Sequence, residues 1–357
     1  MLKISMVFGL VLAYILSLIF TPLIKRMALK IGATDTPNSR KVHTKIMPRL
    51  GGVAIYAAFS LALLLTQDLN NYTVGLLIGG TVIMLVGFLD DVFGLSPKLK
   101  LLGQLIAALI LIAFGYRVQF ITHPWGAGSL IDLEYFTIPF TLLWIIGVTN
   151  AVNLIDGLDG LAAGTSAIAA ITMALVAWSN NQGAAASLAL ILAASTIGFL
   201  RYNFHPARIF MGDSGSLFLG FTLGALAVSG LTKGATVISL FIPVVILGIP
   251  IMDTLFAIVR RFTNGKPIFQ PDKKHLHHCL LDLGLSHKQT VLVIYFIDGC
   301  LGASAVILSK LSTYQSYIVL ISLATLVIVG ANKVGVLSVK SKGSISKMEP
   351  GKAKFRG

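Results

Sequence analysis

The chain has 357 residues, of which 55% are hydrophobic and only 12% are charged, and its mean hydropathy is +0.86. Soluble globular proteins carry about 25% charged residues, so this composition excludes a water-soluble enzyme and a disordered protein. It predicts a protein that crosses a membrane many times. The formal net charge of +14 would suggest nucleic-acid binding in a soluble protein, but in a membrane protein it first reports on sidedness.

Apolar runs follow one another along almost the whole chain. A helix needs about 20 apolar residues to cross the hydrocarbon layer, and eleven runs qualify, or ten if one is re-entrant. We predict an all-α polytopic membrane protein with one transmembrane domain over residues 1–330, followed by a basic tail at 331–357 that is disordered. The predicted spans cover residues 4–24, 50–67, 73–89, 100–115, 136–152, 161–178, 183–200, 214–230, 236–257, 289–309 and 314–330.

The basic residues alternate with these spans. Of the 28 Lys and Arg residues, 24 fall in one set of alternate connections and in the tail. The positive-inside rule places that set in the cytoplasm, so the N-terminus is predicted to be outside and the C-terminus inside. Most of the Asp residues and six of the seven His residues fall on the same side. This concentration of short carboxylates and imidazoles predicts an active site on the cytoplasmic face.

Two carboxylates end the third predicted span. Asp90 and Asp91 are adjacent, and two carboxylates at the end of an apolar helix repel each other and resist desolvation. A divalent cation or a shared proton would relieve that repulsion. The alternative is a pair of interfacial charges that water solvates.

A second polar motif follows the fifth span. Asn150, Asn153, Asp156 and Asp159 recur every three residues, so in a helix they would lie near one face. Carboxylate and amide oxygens are the ligands that Mg²⁺ takes, together with substrate phosphates and water. The alternative is a helix end with scattered polar residues.

A third motif leads into the eighth span with the sequence Phe-Met-Gly-Asp-Ser-Gly-Ser, in which the acid is Asp213. Asp213 or Ser214 is a candidate N-cap for the following helix. A helix N-terminus also binds phosphate oxygens, so capping and substrate binding are compatible here.

Two basic loops are candidate anion sites. The longest predicted cytoplasmic loop carries three histidines, and no thiolate or carboxylate set at zinc spacing accompanies them. Two lysines and two arginines lie nearby, which favours phosphate and sugar recognition over zinc, and a solvated basic loop is the alternative. Basic residues of the first inner loop either bind phosphate or contact anionic lipid. The residues predicted to bind substrate are Lys45, Arg49, Asn150, Arg260, Arg261, His275, His277 and His278.

Taken in order, the five motifs resemble those of the polyprenyl-phosphate hexose-1-phosphate transferases, membrane enzymes that begin bacterial cell-wall polymer, O-antigen and N-glycan lipid precursors. The resemblance runs from Lys25 to about Tyr295. The loop at residues 271–278 is similar to the branch of undecaprenyl-phosphate N-acetylglucosaminyl 1-phosphate transferases. The sister branch, which transfers phospho-N-acetylmuramoyl-pentapeptide, typically has three consecutive histidines at this point and is the alternative.

The resemblance implies substrates, a cofactor and residue roles. The substrates would be a UDP-N-acetylhexosamine, in particular UDP-GlcNAc, and undecaprenyl phosphate, in a bacterial plasma membrane and in contact with its lipids. It implies no nucleic-acid partner and allows a homodimer. Mg²⁺, with Mn²⁺ as a substitute, would bind Asn153 and Asp213. The implied catalytic residues are Asp90, Asp91, Asp156 and Asp159, with Asp90 orienting or deprotonating the lipid phosphate.

Two other functions remain as alternatives. A secondary transporter would use Asp298 and Asp253, which fall within predicted spans, because acids within spans are functional candidates. The remaining acids gather at one membrane face instead of the midplane, where transporter sites lie. A membrane scaffold whose tail recruits partners is the third possibility.

Overall fold

The computed structural model describes residues 4–35, 46–122, 130–231, 241–265, 267 and 274–336. The described residues form thirteen α-helices and two small antiparallel hairpins. The helices are α1 (Ile4–Ile31), α2 (Gly51–Thr66), α3 (Asn71–Phe93), α4 (Pro97–Ala113), α5 (Thr137–Leu154), α6 (Leu161–Ser179), α7 (Gly183–Asn203), α8 (Asp213–Leu226), α9 (Phe241–Ile246), α10 (Gly248–Thr263), α11 (Leu276–Asp282), α12 (His287–Leu308) and α13 (Thr313–Val334).

The hairpins are short and lie between helices. Strand β1 (Thr34–Asp35) pairs with β2 (Met47–Pro48), and β3 (Phe120–Thr122) pairs with β4 (Leu130–Asp132). A 3₁₀ turn at Glu134–Phe136 precedes α5, and a π-helical turn at Ala227–Leu231 continues α8.

Seven helices of the described chain are long and apolar enough to cross a membrane: α1, α3, α5 with its preceding turn, α6, α7, α12 and α13. The all-α polytopic prediction is confirmed at this level. Ten of the eleven predicted runs each coincide with one helix, with the π-helical turn extending α8. The run at 236–257 instead meets α9 and α10, which are separate helices on either side of Leu247, and residues 232–240 lie outside the described part.

The core lies among α5, α6, α7 and α8. Small residues allow the close packing: a Cβ on Gly220 of α8 would lie 2.7 Å from Thr149 Cα, and a Cβ on Gly164 of α6 would lie 2.0 Å from the ring of Tyr295. Helix α13 is peripheral, and its buried residues are Ser316 and Ala331. The chain is therefore tightest around α8, whose N-terminus carries Asp213.

The end of α13 includes the first residues of the segment that the sequence predicts as a tail. The helix continues to Val334, and Val336 is buried beside Ala331 and Cys279. Ala331 and Val336 are thus packed against the rest of the protein, whereas Asn332 and Lys333 are exposed, and residues 337–357 lie outside the described part of the chain.

Candidate active site

The candidate site is built around the N-terminus of α8. The segment before it, at Phe210 and Met211, is held against residues 48–52 by three backbone hydrogen bonds. Phe210 N–H donates to Pro48 O at 2.9 Å, Gly51 N–H donates to Phe210 O at 3.0 Å, and Gly52 N–H donates to Met211 O at 2.9 Å. Two motifs that are 160 residues apart in the sequence therefore share one surface.

Asp91 of α3 caps α8 from the neighbouring helix. Its Oδ1 accepts the N–H of Asp213 at 2.9 Å, and its Oδ2 accepts the N–H of Ser214 at 3.0 Å. The first N–H groups of a helix lack partners within the helix, and a carboxylate beside them also complements the helix dipole. The prediction that Asp213 or Ser214 is the N-cap is wrong, because Gly212 occupies that position without a side-chain cap. The catalytic role of Asp91 stays a prediction, while its contacts make it a cap.

Lys100 of α4 bridges two of the predicted site residues. Its Nζ lies 3.0 Å from Asp90 Oδ2 and also forms an ion pair with Asp213 Oδ2. The second oxygen of Asp90 accepts the N–H of Leu95 at 2.8 Å. Asp90 and Asp213, separated by 123 positions in the sequence, are close enough to share a hydrogen bond.

Lys100 is a site residue that the sequence reasoning counted only as a cytoplasmic cation. A signal for it exists in the sequence. It lies in the first turn of a helix that begins at Pro97, where the helix dipole disfavours a positive charge. A lysine there needs anionic partners from elsewhere in the fold, and the carboxylates of Asp90 and Asp213 provide them.

Asn153 joins the same cluster from the last turn of α5. Its Nδ2 donates to Ser216 Oγ at 2.8 Å, and its side chain lies close to that of Asp213. Asn150 is one turn earlier and instead exchanges two hydrogen bonds with Gln104 of α4, at 2.7 and 3.2 Å. The structure therefore places Asn153 near Asp213 and pairs Asn150 with a neighbouring helix, while metal binding by Asn153 stays a prediction.

Asp156 and Asp159 do not continue the helical face of the two asparagines, because α5 ends at Leu154 and the chain turns. Asp156 is half-buried, and the surrounding protein removes much of the water from its carboxyl. This desolvation, followed by the negative charges of Asp213 and Asp91, raises the pKa of Asp156 to about 8, while Arg49 acts in the opposite direction. A carboxyl in these surroundings favours a proton or a nearby cation.

Arg49 is the described part of the predicted anion site in the first inner loop. Its Nη2 lies 3.1 Å from Asp35 Oδ1, so this ion pair joins the end of β1 to the residue after β2. The positive charge of Arg49 acts to lower the pKa of Asp156, so Arg49 lies near the acidic cluster. Lys45, the other predicted anion ligand of this loop, lies outside the described residues.

The histidine loop reaches the site through His277. A Cβ on Gly157 would lie 2.5 Å from the His277 Nε2, so the imidazole sits directly over the turn that holds Asp156. Burial, and then the neighbouring His278, lowers the pKa of His277 to about 4, so this imidazole is neutral at physiological pH. The ring of His278 lies 4.2 Å from that of His277.

The other predicted members of this loop face the protein. His275 Nδ1 lies 2.7 Å from Asp253 Oδ2, and both side chains are buried. Asp253 Oδ1 also accepts the N–H of Leu276 at 2.8 Å, so this carboxylate holds the start of α11. Arg260 is buried, and its Nη1 donates to Val336 O at 2.6 Å. Arg261 follows it at the end of α10. Substrate contacts for these residues stay predictions.

Asp159 belongs to a cluster that the sequence reasoning did not identify. Its Oδ2 lies 2.8 Å from His205 Nδ1, and its backbone N–H donates to His287 Nε2 at 2.9 Å. The three residues offer ligand atoms within 4.8 Å of one another, a set with which a metal ion could be bound. His205 and His287 lie 46 and 128 residues from Asp159 in the sequence, so no local pattern predicts these contacts.

Comparison with known proteins identifies the family. The family model described as glycosyl transferase family 4 matches residues 73–231. The chain is 45% identical to the probable undecaprenyl-phosphate N-acetylglucosaminyl 1-phosphate transferase of Bacillus subtilis (strain 168), over 93% of this chain and 94% of that protein. The chain belongs to the polyprenyl-phosphate N-acetylhexosamine-1-phosphate transferase family. The resemblance on which the sequence analysis relied is therefore confirmed.

Both branches of this transferase family are represented among the relatives. The decaprenyl-phosphate N-acetylglucosaminephosphotransferase of Mycolicibacterium smegmatis is 36% identical over 82% of this chain and 79% of that protein. The phospho-N-acetylmuramoyl-pentapeptide-transferase of Halalkalibacterium halodurans is 33% identical over 85% of this chain and 95% of that protein. Identity to the Bacillus subtilis and Mycolicibacterium smegmatis relatives, 45% and 36%, is greater than the 33% identity to this pentapeptide transferase.

Proposed function

We propose that this enzyme transfers N-acetylglucosamine 1-phosphate from UDP-GlcNAc to undecaprenyl phosphate. An oxygen of the lipid phosphate attacks the β-phosphorus of UDP-GlcNAc, the bond from that phosphorus to the bridging oxygen breaks, and UMP leaves. The product is a lipid-linked diphosphate sugar that begins a cell-wall polymer such as teichoic acid or an O-antigen-like chain. The observation that carries the proposal is the convergence of Asp90, Asp213 and Asn153 at the end of α3, the start of α8 and the end of α5.

The donor set fits Mg²⁺. The carboxylates of Asp90 and Asp213 and the amide of Asn153 are hard oxygen ligands, and Mg²⁺ is usually held by one or two carboxylates together with substrate phosphates. When bound, the ion would neutralise charge on the two phosphate-bearing substrates. Mn²⁺, which also favours carboxylate ligands, is the expected substitute. The Lys100 ammonium already supplies positive charge to the same two carboxylates.

The protein groups contribute positioning and charge. Asp91 fixes the first turn of α8 and so the place of the Asp213 side chain. The Arg49 charge beside Asp156 favours an anionic substrate at the same surface. Within this arrangement Asp90 is the group proposed to orient or deprotonate the lipid phosphate, and neutral His277 over Gly157 is proposed to contact the sugar or diphosphate.

N-acetylglucosamine is favoured over the pentapeptide substrate by two observations. Identity to the Bacillus subtilis relative is 45%, against 33% to the Halalkalibacterium halodurans pentapeptide transferase. The loop at residues 271–278 also lacks a run of three consecutive histidines. Family membership further favours a transferase over a transporter or a scaffold. A homodimer stays a prediction.

We further propose a multi-pass protein of the bacterial plasma membrane with eleven crossings, the N-terminus outside and the site in the cytoplasm. The alternation of basic connections supports it, and so does the match of ten predicted runs to helices. Single cysteines placed at Lys310 and at Lys98, in a chain without Cys279 and Cys300, should react differently with a membrane-impermeant thiol reagent in intact cells. Labelling is expected at 310, outside, and not at 98; the reverse result would invert the topology.

The proposed reaction is tested with purified protein in detergent. We expect labelled lipid to form from UDP-GlcNAc and undecaprenyl phosphate with Mg²⁺, and not after chelation of divalent ions. A panel of other UDP-sugars, including UDP-N-acetylmuramoyl-pentapeptide, provides the specificity control. Product from the pentapeptide donor alone would assign the chain to the other branch, and product without any divalent ion would remove the metal from the proposal.

A further inference from the structure

Two histidines from distant parts of the chain, one after α7 and one at the start of α12, hold Asp159 by different groups. The Asp159 Oδ2 accepts from His205 Nδ1 at 2.8 Å and from the Ala207 N–H at 3.1 Å. The Asp159 backbone N–H donates to His287 Nε2 at 2.9 Å. Both the side chain and the backbone of one acidic residue are thus fixed, the first from the segment after α7 and the second from the first residue of α12.

The two imidazoles support each other. Their ring centroids are 4.2 Å apart and the rings are nearly parallel, with an interplanar angle of 22°. His205 must carry a proton on Nδ1 to donate to the carboxylate, whereas His287 must have Nε2 unprotonated to accept the N–H of Asp159. Each contact therefore depends on one particular ring nitrogen.

The held residue lies in the turn that joins α5 to α6. The same turn carries Asp156 and Gly157, and it contacts His277. Its far end is also fixed, because Gly160 N–H donates to Asn203 Oδ1 at 3.1 Å and the Tyr295 hydroxyl donates to Gly160 O. A displacement of Asp159 would move Asp156 and the surface under His277.

We propose that His205 and His287 are positioning residues that fix Asp159 and the turn at residues 155–160 for donor binding. The inference rests on the proposed function, in which this turn lies beside the nucleotide sugar. A transition-metal site formed by the same three residues is less favoured. The lone pair of His287 Nε2 is already used by the N–H of Asp159, and Asp159 Oδ2 already accepts two hydrogen bonds.

Substitution by asparagine or glutamine can replace one of the two ring nitrogens at a time. An asparagine places its amide near the former Nδ1 and a glutamine near the former Nε2. We therefore expect H205N and H287Q to keep kcat/KM for UDP-GlcNAc within about threefold of the parent. H205Q and H287N lose the contact and should fall by about 10-fold to 100-fold, the range for a hydrogen bond to a charged or buried group. H287F keeps the stacked ring without an acceptor and should behave like H287N.

The loss should appear in kcat/KM for UDP-GlcNAc and leave the KM for undecaprenyl phosphate unchanged, a split that general destabilisation would not produce. Hydrogen–deuterium exchange of a peptide that covers residues 155–160 gives a readout independent of activity. Exchange should be faster in H287F than in H287Q. If H287F exchanges faster than H287Q but the parent protein shows no transfer, the proposed function fails and the positioning role stands.

Two outcomes would overturn the inference. Parent-like kcat/KM and exchange in H287F would show that the contact with the N–H of Asp159 positions nothing. Equal losses in H205N, H205Q, H287Q and H287N, together with stoichiometric Zn²⁺ in the parent protein and its absence from all four variants, would assign the cluster to a metal ion instead.

Discussion

Replacing Asp213 with alanine is expected to lower Mg²⁺-dependent exchange of UMP into UDP-GlcNAc by at least about 10³-fold, the upper range for loss of one preorganised electrostatic group. Asp213 contacts Asn153 and Lys100 and lies within hydrogen-bond reach of Asp90, so it is the group that the other site residues share. Its side chain is not needed to cap α8, since Asp91 binds the backbone N–H of residue 213. The fold should therefore survive the substitution.

The measurement is the initial rate of exchange in detergent at saturating Mg²⁺, with undecaprenyl phosphate present because direct transfer cannot exchange UMP without the lipid acceptor. D213N keeps the shape of the side chain without its charge and should be as inactive as D213A. Asp282→Ala is the matched control, because Asp282 is an exposed aspartate at the end of α11 and makes none of the contacts of the cluster. Parent-like exchange in D213A would remove Asp213 from the metal site, and equal losses in D282A would make the effect nonspecific.

Hydropathy made most of the helices predictable, because the length of an apolar run in a membrane protein is set by the thickness of the bilayer. The exceptions lie where polar residues interrupt the runs. Helix α5 ends at Leu154 because Gly157 and Gly160 follow closely and Gly160 adopts a φ of +78°. The polar residues at every third position predicted that the helical face continues past Leu154, but the glycines end the helix there.

The kinds of residue at the candidate site could be predicted from the sequence, but most of their contacts could not. Asp90, Asp213 and Asn153 were predicted as site residues because each offers oxygen ligands at the predicted cytoplasmic end of a span. Lys100, His205 and His287 were not predicted as site residues. Their contacts with Asp213 and Asp159 join positions that are 46 to 128 residues apart in the sequence, and only the pair of Lys100 with Asp90 is local. Charge patterns report which side of a membrane a residue occupies, and only the packing of the helices selects its partner.

Glycine at two positions is what lets α2 and α3 reach the N-terminus of α8. A Cβ on Gly52 would lie 1.9 Å from the backbone N of Gly215 and 2.1 Å from its Cα. A Cβ on Gly87 would lie 2.5 Å from Asp213 O. Both neighbours are backbone atoms, which cannot rotate away as a side chain can, so any added methyl group must separate the helices.

Gly52→Ala is accordingly expected to destabilise the protein at or above the upper end of the roughly 1–3 kcal/mol that overpacking costs. We expect a lower midpoint of thermal unfolding in detergent and a loss of transfer activity that persists below that midpoint. The activity falls because moving α2 away from Gly215 also breaks the bond from Gly52 N–H to Met211 O, which sets the segment leading to Asp213.

Gly147→Ala in α5 is the matched control. A Cβ at Gly147 would have no neighbour within 4 Å, so the better helix propensity of alanine should leave stability unchanged or raise it by up to about 1 kcal/mol. Equal unfolding midpoints for G52A and G147A would contradict the close approach of α2 to α8. A destabilised G52A with full activity at low temperature would instead show that the geometry of Asp213 does not depend on the packing of α2. Asp91, Lys100 and Asn153 would then be the groups that hold it.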